Sequence, residues 1–552
     1  MNRGVISILF IILPFRIFSQ SNITFNLDVH ELINKKLFLP SNGEKILIRG
    51  SFNNWTSEEF ILLKQNSDNI YSNTFKIVVS IGDTIQYKYV IKKSDGRYYW
   101  ERNPNPKNPA YGNRQLVITD TNLILKVTEF NYDEFIRYPI VFSREKLQED
   151  FLQMRKEVEE KHPALYDYTD KKTLDSLFDY YYSKIDSSLG FNEFYRIVSS
   201  VIERIGCGHT KLWIPSDYWN SAAERFFPLE LSFTQNKVFV KGFYSASENI
   251  PIGSEIISIN KKLVTEIIME LKSITSSDAF IEAFKTKSVE KNFSPKYALY
   301  YGYPDKFRIE YIPPKENSLN SVDLKPADGK NISMNPFRGN ELSLRLLEEY
   351  NAAILTINSF IYYDRLEMFK AFIDSSFQKI KNENIKNLII DLRGNDGGDP
   401  YCSSYLLSYI EHEPVRYFAE PYKRYEKLAE PVQKAIKDFN GNLYTLIDGS
   451  AFSTTGHFCA LLKYNKIGKL IGSETGATYT CTGSVHYVNL INTKLILGTA
   501  RKMRYNAAVE NMKKNRGIMP DHFIEQNQND LISGNDTVLN FVIENLIMKP
   551  HN

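Results

Sequence analysis

Three short segments combine glycine with residue types that can act as a nucleophile, a base or an anion-binding amide. The segment Asp448–His457, DGSAFSTTGH, places Ser453 between an apolar strand candidate and a helix candidate. At such a junction, free amide N–H groups and the helix dipole stabilise a developing anion, so Ser453 is a candidate nucleophile. The alternative is that Ser453 only caps the helix, a position that serine favours for local reasons.

The other two segments offer a base and an oxyanion site. Ile205–Thr210, IGCGHT, sets His209 among glycines, where it is either a general base in an open turn or an ordinary turn residue. Ile390–Gly398, IDLRGNDGG, follows an apolar strand, and its glycines let backbone N–H groups approach a ligand closely. A glycine-rich turn after a strand is also common in α/β proteins, so neither segment is decisive alone.

Along the chain around these segments, the spacing of apolar residues changes three times. Residues 22–130 read as strands broken by Asn, Gly and Asp turns, which predicts one β-sandwich. Residues 228–345 are again β-rich, and from about 350 strands and helices alternate, which predicts a layered α/β domain. Between 143 and 205 apolar residues recur at helical spacing and predict two to four helices: Leu147, Phe151, Met154, Val158, Leu174, Leu177 and Phe178.

Taken in order, the motifs IGCGHT, IIDLRGNDGG, DGSAFSTTGHFCALLK, IGSETG and GIMPD resemble the tail-specific, carboxyl-terminal-processing serine peptidases of family S41. The resemblance runs from about Ser143 to the C-terminus and implies Ser453 as the nucleophile. It also implies a crotonase-like α/β domain preceded by a helical cap. The run Gly253–Asn260 resembles the carboxylate loop and strand of a PDZ-like domain.

The base is where this sequence departs from the better-known bacterial members, which use a Lys. The matching position is Thr478, and no Lys occurs between Lys469 and Lys494. Either the enzyme is silent, or it is similar to the His-using branch, whose pattern implies His209 as the base. An unperturbed His has a pKa near 6.5, which predicts an acid limb in kcat/KM at roughly pH 6–7.

The resemblance to that branch implies the remaining roles. The carboxylate that orients His209 would be Glu510 or Glu474, two alternatives that the sequence leaves open. The branch has an extra Ser before the base, and Gly208 stands there instead. The oxyanion would be held by the N–H groups of Gly397 or Gly398 and of Thr454. No metal or organic cofactor is expected.

The N-terminal module resembles the starch- and glycogen-binding modules of carbohydrate-binding families 20 and 48, through IRGSFNNW, YKY and the YYWE segment. In such modules exposed aromatic rings stack on glucose and polar side chains bind its hydroxyls. The resemblance implies α-glucan contacts at Trp55, Lys88, Trp100 and Asn113. The alternative is that both Trp rings are core residues of the sandwich.

The composition and the first residues limit the expected cellular location and the expected partners of the protein. The first twenty residues have the pattern of a secretory signal: Arg3, the apolar run Val5–Pro14 and the possible cleavage region Ser19-Gln20. No stretch has the length of a membrane span. We therefore expect an exported protein, periplasmic or secreted. The net charge of +3 gives no case for nucleic acid. The four cysteines have no framework spacing and no zinc pattern. The expected partner is a peptide or protein substrate.

We therefore expect a multidomain chain: a signal peptide over 1–20, a starch-binding-like β-sandwich over 21–135, a helical cap with GCGHT over 140–225, a PDZ-like β-rich region over 226–345 and a crotonase-like peptidase domain over 346–552. The leading functional hypothesis is an endopeptidase or C-terminal-processing peptidase. The alternatives are a catalytically silent scaffold that binds peptide or carbohydrate, and a glycan-acting enzyme, which lacks an evident pair of carboxylates.

Overall fold

The computed structural model describes residues 20–548 except 66–68, 102–112, 131–140, 216–217, 220–224, 245–249, 330–331, 333–341, 436–437 and 502. The predicted signal segment lies almost wholly outside this range. The chain divides into two compact units, Met1–Phe135 and Ile136–Asn552, which are described separately. In the part of the chain that is described, no helix is both long and apolar enough to cross a bilayer.

The first unit is built on strands that alternate buried and exposed side chains. In the first strand Ile23, Phe25 and Leu27 are fully buried between partly exposed neighbours, as one inward-facing side of a strand requires. The strands run in the order β6-β5-β2-β3-β4-β1-β8, with β7 beside β5 and β9 beside β1. The elements are β1 (Gln20–Asp28), α1 (His30–Asn34), β2 (Lys45–Gly50), β3 (Ile61–Gln65), β4 (Ile70–Val78), β5 (Thr84–Lys92), β6 (Tyr98–Trp100), β7 (Arg114–Val117), β8 (Asn122–Ile124) and β9 (Thr128–Glu129).

The second unit begins with three helices whose apolar faces form one core. The Ser143 side chain accepts the Lys146 N–H at the start of the first of them, as an N-cap does. Leu147, Phe151 and Phe178 are buried in that core as the periodicity predicts. The elements are β10 (Val141–Phe142), α2 (Arg144–Lys161), α3 (Lys171–Ser183), β11 (Leu189–Gly190), α4 (Phe191–Glu203) and β12 (Lys211–Trp213).

The region 226–345 holds an antiparallel sheet and, beyond the β-rich expectation, three helices. The sheet order is β13-β14-β15-β17-β18, with β16 beside β15. The turn before β15 is packed against the C-terminal segment: Gln528 Nε2 donates to the Gly253 carbonyl at 2.8 Å, and a Cβ on Gly253 would lie 2.3 Å from Ile532. The elements are β13 (Leu229–Thr234), β14 (Lys237–Phe243), β15 (Glu255–Ile259), β16 (Lys262–Leu263), α5 (Val264–Lys272), α6 (Glu282–Lys291), α7 (Phe293–Tyr301), β17 (Phe307–Ile312) and β18 (Asn320–Leu324).

The C-terminal region is an α/β layer around the sheet β19-β20-β21-β22-β23-β28, in which every pair after β19–β20 is parallel. Because β21 and β22 are parallel neighbours, the loops that follow them meet at one edge. The elements are β19 (Leu342–Leu347), β20 (Ala352–Ile357), α8 (Leu366–Asn382), β21 (Asn387–Asp391), α9 (Pro400–Leu407), β22 (Asn442–Ile447), α10 (Thr454–Tyr464), β23 (Lys469–Gly472), β24 (Thr480–Thr482), β25 (His486–Asn489), β26 (Ile496–Thr499), β27 (Arg504–Asn506), β28 (His522–Phe523), α11 (Gln528–Ser533) and α12 (Thr537–Phe541).

The β25–β26 hairpin joins this region to the helices at the start of the unit. Strand β26 pairs with β12 on one side and β25 on the other. At the hairpin turn, the fully buried Asp150 of α2 accepts the backbone N–H groups of Asn492 and Thr493, each at 2.8 Å. Leu490 and Leu497 lie in the same core as the three helices. The helices and the hairpin are therefore one packing unit, although the sequence assigns them to different domains.

Candidate active site

Ser453 occupies a strained turn between β22 and α10. Its φ is +54° and its ψ is −123°, a backbone conformation that non-glycine residues rarely adopt. Such strain persists only where the surrounding structure imposes it, and it concentrates at functional sites. The Ser453 side chain makes no capping hydrogen bond to α10, so the capping alternative does not describe this residue.

The Ser453 hydroxyl faces His209 instead. The Ser453 Oγ and the His209 Nε2 are 3.2 Å apart, a hydrogen-bond distance between atoms from residues 244 positions apart. The ring of Phe452 packs on the imidazole, with 4.7 Å between centroids. A Cβ at position 208 would lie 2.6 Å from Phe452 Cζ. Gly208, which stands where the His-using branch has a Ser, therefore leaves the space that this aromatic contact needs.

The surroundings of His209 favour the neutral imidazole. Burial, with the charge of Lys211 as the next cause, lowers the pKa of His209 to about 3. This differs from the sequence-based expectation, which used the unperturbed value. Neutral His209 can accept a proton at Nε2, as a general base must.

Neither predicted carboxylate orients His209 in this structure. Glu510 is exposed, and Glu474 accepts the Gly517 N–H at 2.9 Å and contacts Arg516 Nε at 3.2 Å. The His209 Nδ1 atom is buried without a hydrogen-bond partner among the described residues. In this structure Glu474 therefore contacts other parts of the chain, Glu510 is exposed, and neither carboxylate meets the His209 ring.

A different carboxyl group contacts the backbone of the residue that precedes His209. Asp278, 3% exposed, accepts the Gly208 N–H at 2.7 Å through Oδ1. Its Oδ2 is buried without a partner among the described residues, and burial raises the pKa of Asp278 well above its usual value. The contact fixes the backbone on which His209 stands. No motif or spacing in the sequence marks this residue, which comes from the turn between α5 and α6.

The glycine loop after β21 reaches Ser453. A Cβ on Gly397 would lie 2.9 Å from the Ser453 Cβ and 3.0 Å from the Thr454 nitrogen. The Gly397 N–H is already used, because it donates to Asn395 Oδ1 at 2.9 Å. The N–H groups of Gly398 and Thr454 have no acceptor among the described residues. Of the two alternatives at the glycine pair, Gly398 is the one with a free donor.

Thr478 and Cys481 complete the surroundings. Thr478 is fully buried, and its hydroxyl donates to the Thr480 carbonyl at 2.7 Å, so a neutral side chain fills the position at which other members have a Lys. Burial raises the pKa of Cys481 well above its usual value, whereas a hydrogen bond with Ser453 acts in the opposite direction. Cys207, Cys402, Cys459 and Cys481 are buried free thiols.

In the first unit the predicted glucan contacts share one face of β5. Trp55 and Trp100 are half-buried, with their ring centroids 6.3 Å apart, and neither belongs to the domain core. Arg49 lies over the Trp100 ring at 5.5 Å. Lys88 of β5 stands opposite Arg49 of β2 in the strand register. Asn113 Nδ2 donates to Gln86 Oε1 at 2.8 Å. This geometry contradicts the alternative in which both Trp rings are core residues.

Comparisons with known proteins find similarity for both the region of the candidate active site and the N-terminal β-domain. Residues 351–524 match Peptidase family S41, and residues 23–117 match the starch binding domain family. Comparison with curated protein sequences finds no match.

Solved structures share the fold of the second part. Mature CPAF is 13% identical, covers 70% of this chain and 94% of its own, and has a TM-score of 0.53. A serine-to-alanine mutant of CPAF is 12% identical, with 74% and 99% covered and a TM-score of 0.54. Mature CPAF complexed with lactacystin is 13% identical, with 71% and 95% covered and a TM-score of 0.51. The region 351–524 is therefore similar to peptidase family S41, a family of serine peptidases, and the domain over 23–117 is similar to the starch binding domain.

Proposed function

We propose that this protein is an exported serine endopeptidase or C-terminal-processing peptidase that uses Ser453 as its nucleophile and His209 as its general base. The observation that carries the proposal is the 3.2 Å contact between Ser453 Oγ and His209 Nε2 at a strained strand-to-helix turn. Export rests on the apolar N-terminal segment with its basic start.

In this mechanism His209 Nε2 takes the proton of Ser453 while Oγ attacks the peptide carbonyl. The resulting oxyanion would be held by the N–H groups of Gly398 and Thr454, which have no acceptor among the residues that the structure describes. His209 then passes its proton to the leaving amine. A water molecule, deprotonated by the same imidazole, releases the acyl group from Ser453.

Labelling with a fluorophosphonate probe tests the proposal. Full-length protein should be labelled, whereas Ser453→Ala should not be labelled and His209→Ala should react at least about a thousandfold more slowly, because the base acts with the nucleophile as one unit. Ser450→Ala, in the same turn, and His412→Ala are the matched controls and should react normally. If the unsubstituted protein is inert to the probe and to peptides, the silent-scaffold alternative is correct.

A second function is favoured by the first unit. We propose that the Trp55 and Trp100 rings, with Lys88 and Asn113 on the same face, bind an α-glucan. Half-buried adjacent rings outside the core offer the apolar faces on which sugar rings stack.

A further inference from the structure

The aromatic face of the first unit carries basic side chains on both sides of an apolar row. In the strand register, Trp100 of β6 stands opposite Val90 of β5, and Leu47 of β2 stands opposite the same Val90. Residues two positions from Val90 and Leu47 on their strands project from the same face of the sheet. All four of these residues are basic: Lys45, Arg49, Lys88 and Lys92.

The four basic residues form two cross-strand pairs of like charge. Lys45 stands opposite Lys92, and Arg49 stands opposite Lys88. Like charges directly opposite each other on antiparallel strands destabilise a sheet, whereas opposite charges stabilise it. The stability of the fold therefore does not explain either like-charge pair, whereas a ligand that supplies negative charge does.

One carboxylate compensates part of this charge. Lys92 Nζ donates to the Glu58 carboxylate, and Arg49 Nη2 lies 3.9 Å from Glu58 Oε1. The hydrogen bond from Lys92, with the charges of Arg49 and Lys45 acting in the same direction, lowers the pKa of Glu58. The two like-charge pairs and Glu58 together carry a net charge of +3. Positive charge is therefore left over beside the aromatic rings.

Arg49 places part of that charge against the rings themselves. Its guanidinium carbon lies 3.9 Å from the Tyr98 ring centroid and 5.5 Å from that of Trp100. Arg49 is 6% exposed, and its Nε atom is buried without a hydrogen-bond partner among the described residues. Burial lowers the pKa of Arg49, while the charge of Glu58 acts in the opposite direction. Arg49 thus adds positive charge without covering the surface on which a sugar ring would stack.

The lysines are the cations that a ligand can touch. Lys45 is exposed, and Lys88 and Lys92 are partly exposed. Residues two positions apart on a strand are separated by about 6.6 Å, so a like-charge pair stands on each side of the row that includes Trp100. A lysine ammonium only donates hydrogen bonds, and its bonds to charged acceptors are about twice as strong as those between neutral groups. A charged substituent on a sugar stacked at Trp100 would meet such an ammonium.

We propose that this face binds a glycan that carries anionic groups, with its sugar rings stacked on Trp55 and Trp100 and its charges held at the two like-charge pairs. The anionic group is a phosphate, a sulfate or a carboxylate, which share the chemistry that an ammonium recognises. This inference rests on the glucan binding proposed above and adds the charged substituent that a neutral α-glucan lacks.

The test compares one polymer in four forms: amylose, phosphorylated amylose, sulfated amylose and carboxymethylated amylose. Their affinities for the full-length protein are measured by isothermal titration calorimetry. We expect at least one anionic form to bind at least about tenfold more tightly than amylose, as one hydrogen bond to a charged group supplies. The form that does so identifies the group. Raising the NaCl concentration from about 0.05 M to about 0.5 M should reduce the preference, because salt screens exposed charges.

Substitutions locate the preference on this face. Lys45→Glu places an opposite charge across from Lys92, so the preference should be lost while the melting temperature does not fall. Lys45→Arg should keep the preference, as should the control Lys126→Met, an exposed lysine between β8 and β9. A preference that is undiminished in both Lys45→Glu and Lys88→Met would overturn the proposal. Thermal melts of each variant check that it is folded.

Two further outcomes separate this inference from glucan binding and from unspecific attraction. Equal affinity for all four forms would refute the inference and leave glucan binding standing. Binding of an anionic form that is lost in Trp100→Ala, with no binding of amylose, would refute the neutral-glucan proposal and support this one. Polyglutamate, a polyanion without sugar rings, should bind no better than amylose. If it binds as tightly as the anionic glycan, the face is a general polyanion surface and the proposal is wrong.

Discussion

The acid limb of the pH profile offers the sharpest test of the environment of His209. Burial lowers the pKa of this imidazole to about 3. With an unperturbed pKa of 6.5, the neutral fraction at pH 5.5 is about one tenth of that at pH 7.5, whereas a pKa of about 3 leaves it unchanged. We therefore expect kcat/KM at pH 5.5 to be within about twofold of its value at pH 7.5.

The assay is kcat/KM on an uncharged amidated peptide between pH 4 and pH 8, with the rate of fluorophosphonate labelling measured in parallel. Enzyme held at each pH and returned to pH 7.5 must regain full activity, which separates titration from unfolding. Tryptophan fluorescence at each pH provides a second check. An acid limb centred at pH 6–7 in both measurements would show that His209 titrates as if in water, and the reasoning from burial would be refuted.

Three further predictions concern Asp278 beside the proposed base, the independence of the second unit, and the N-terminal domain. Asp278→Ala leaves the buried Gly208 N–H unsatisfied, so we expect a loss of about 1–3 kcal/mol in the free energy of unfolding and slower labelling of Ser453. Asp278→Asn keeps the acceptor and should be near normal in both measurements. Equal effects of the two changes would contradict this role of Asp278. A chain beginning at Ile136 should fold and be labelled at the full rate, because the second unit is compact by itself; insoluble or unreactive protein would contradict that view. Trp55→Ala and Trp100→Ala should each weaken retention on amylose with little change in melting temperature, since neither ring is in the core; a large drop in melting temperature would count against the binding site.

The sequence predicted the proposed catalytic pair because its motifs carry the relevant residue types in short runs. Ser453 and His209 each sit in a glycine-containing segment, and those two side chains meet as expected. The helices of 144–203 and the alternating strands and helices after 350 likewise follow from apolar periodicity. These features depend on residues that are close together along the chain.

What the sequence did not predict depends on contacts between distant segments. Asp278 stands in a turn with no recognisable pattern, and only the folded chain brings its carboxyl group to the Gly208 N–H. The orienting role given to Glu510 or Glu474 stays a prediction that this structure does not support with a contact, because spacing cannot say which way a surface loop folds. The lowered pKa of His209 could not be expected from the sequence for a related reason, since burial of the imidazole is set by the packing of Phe452 and its neighbours.

The pairing of the β25–β26 hairpin with β12 has a consequence for the order in which the parts of this chain fold. Asp150 and Thr493, which are in contact, are 343 positions apart in the sequence. His209 follows the last of the three helices, and the core of these helices includes residues of the hairpin. Contacts of such long range form late in folding, because the intervening chain must first be ordered. In a chain that ends before residue 486 this core lacks Leu490 and Leu497, so we expect Ser453 and His209 not to be held at 3.2 Å. We therefore expect the Ser453–His209 contact to form only when nearly the whole chain has been synthesised.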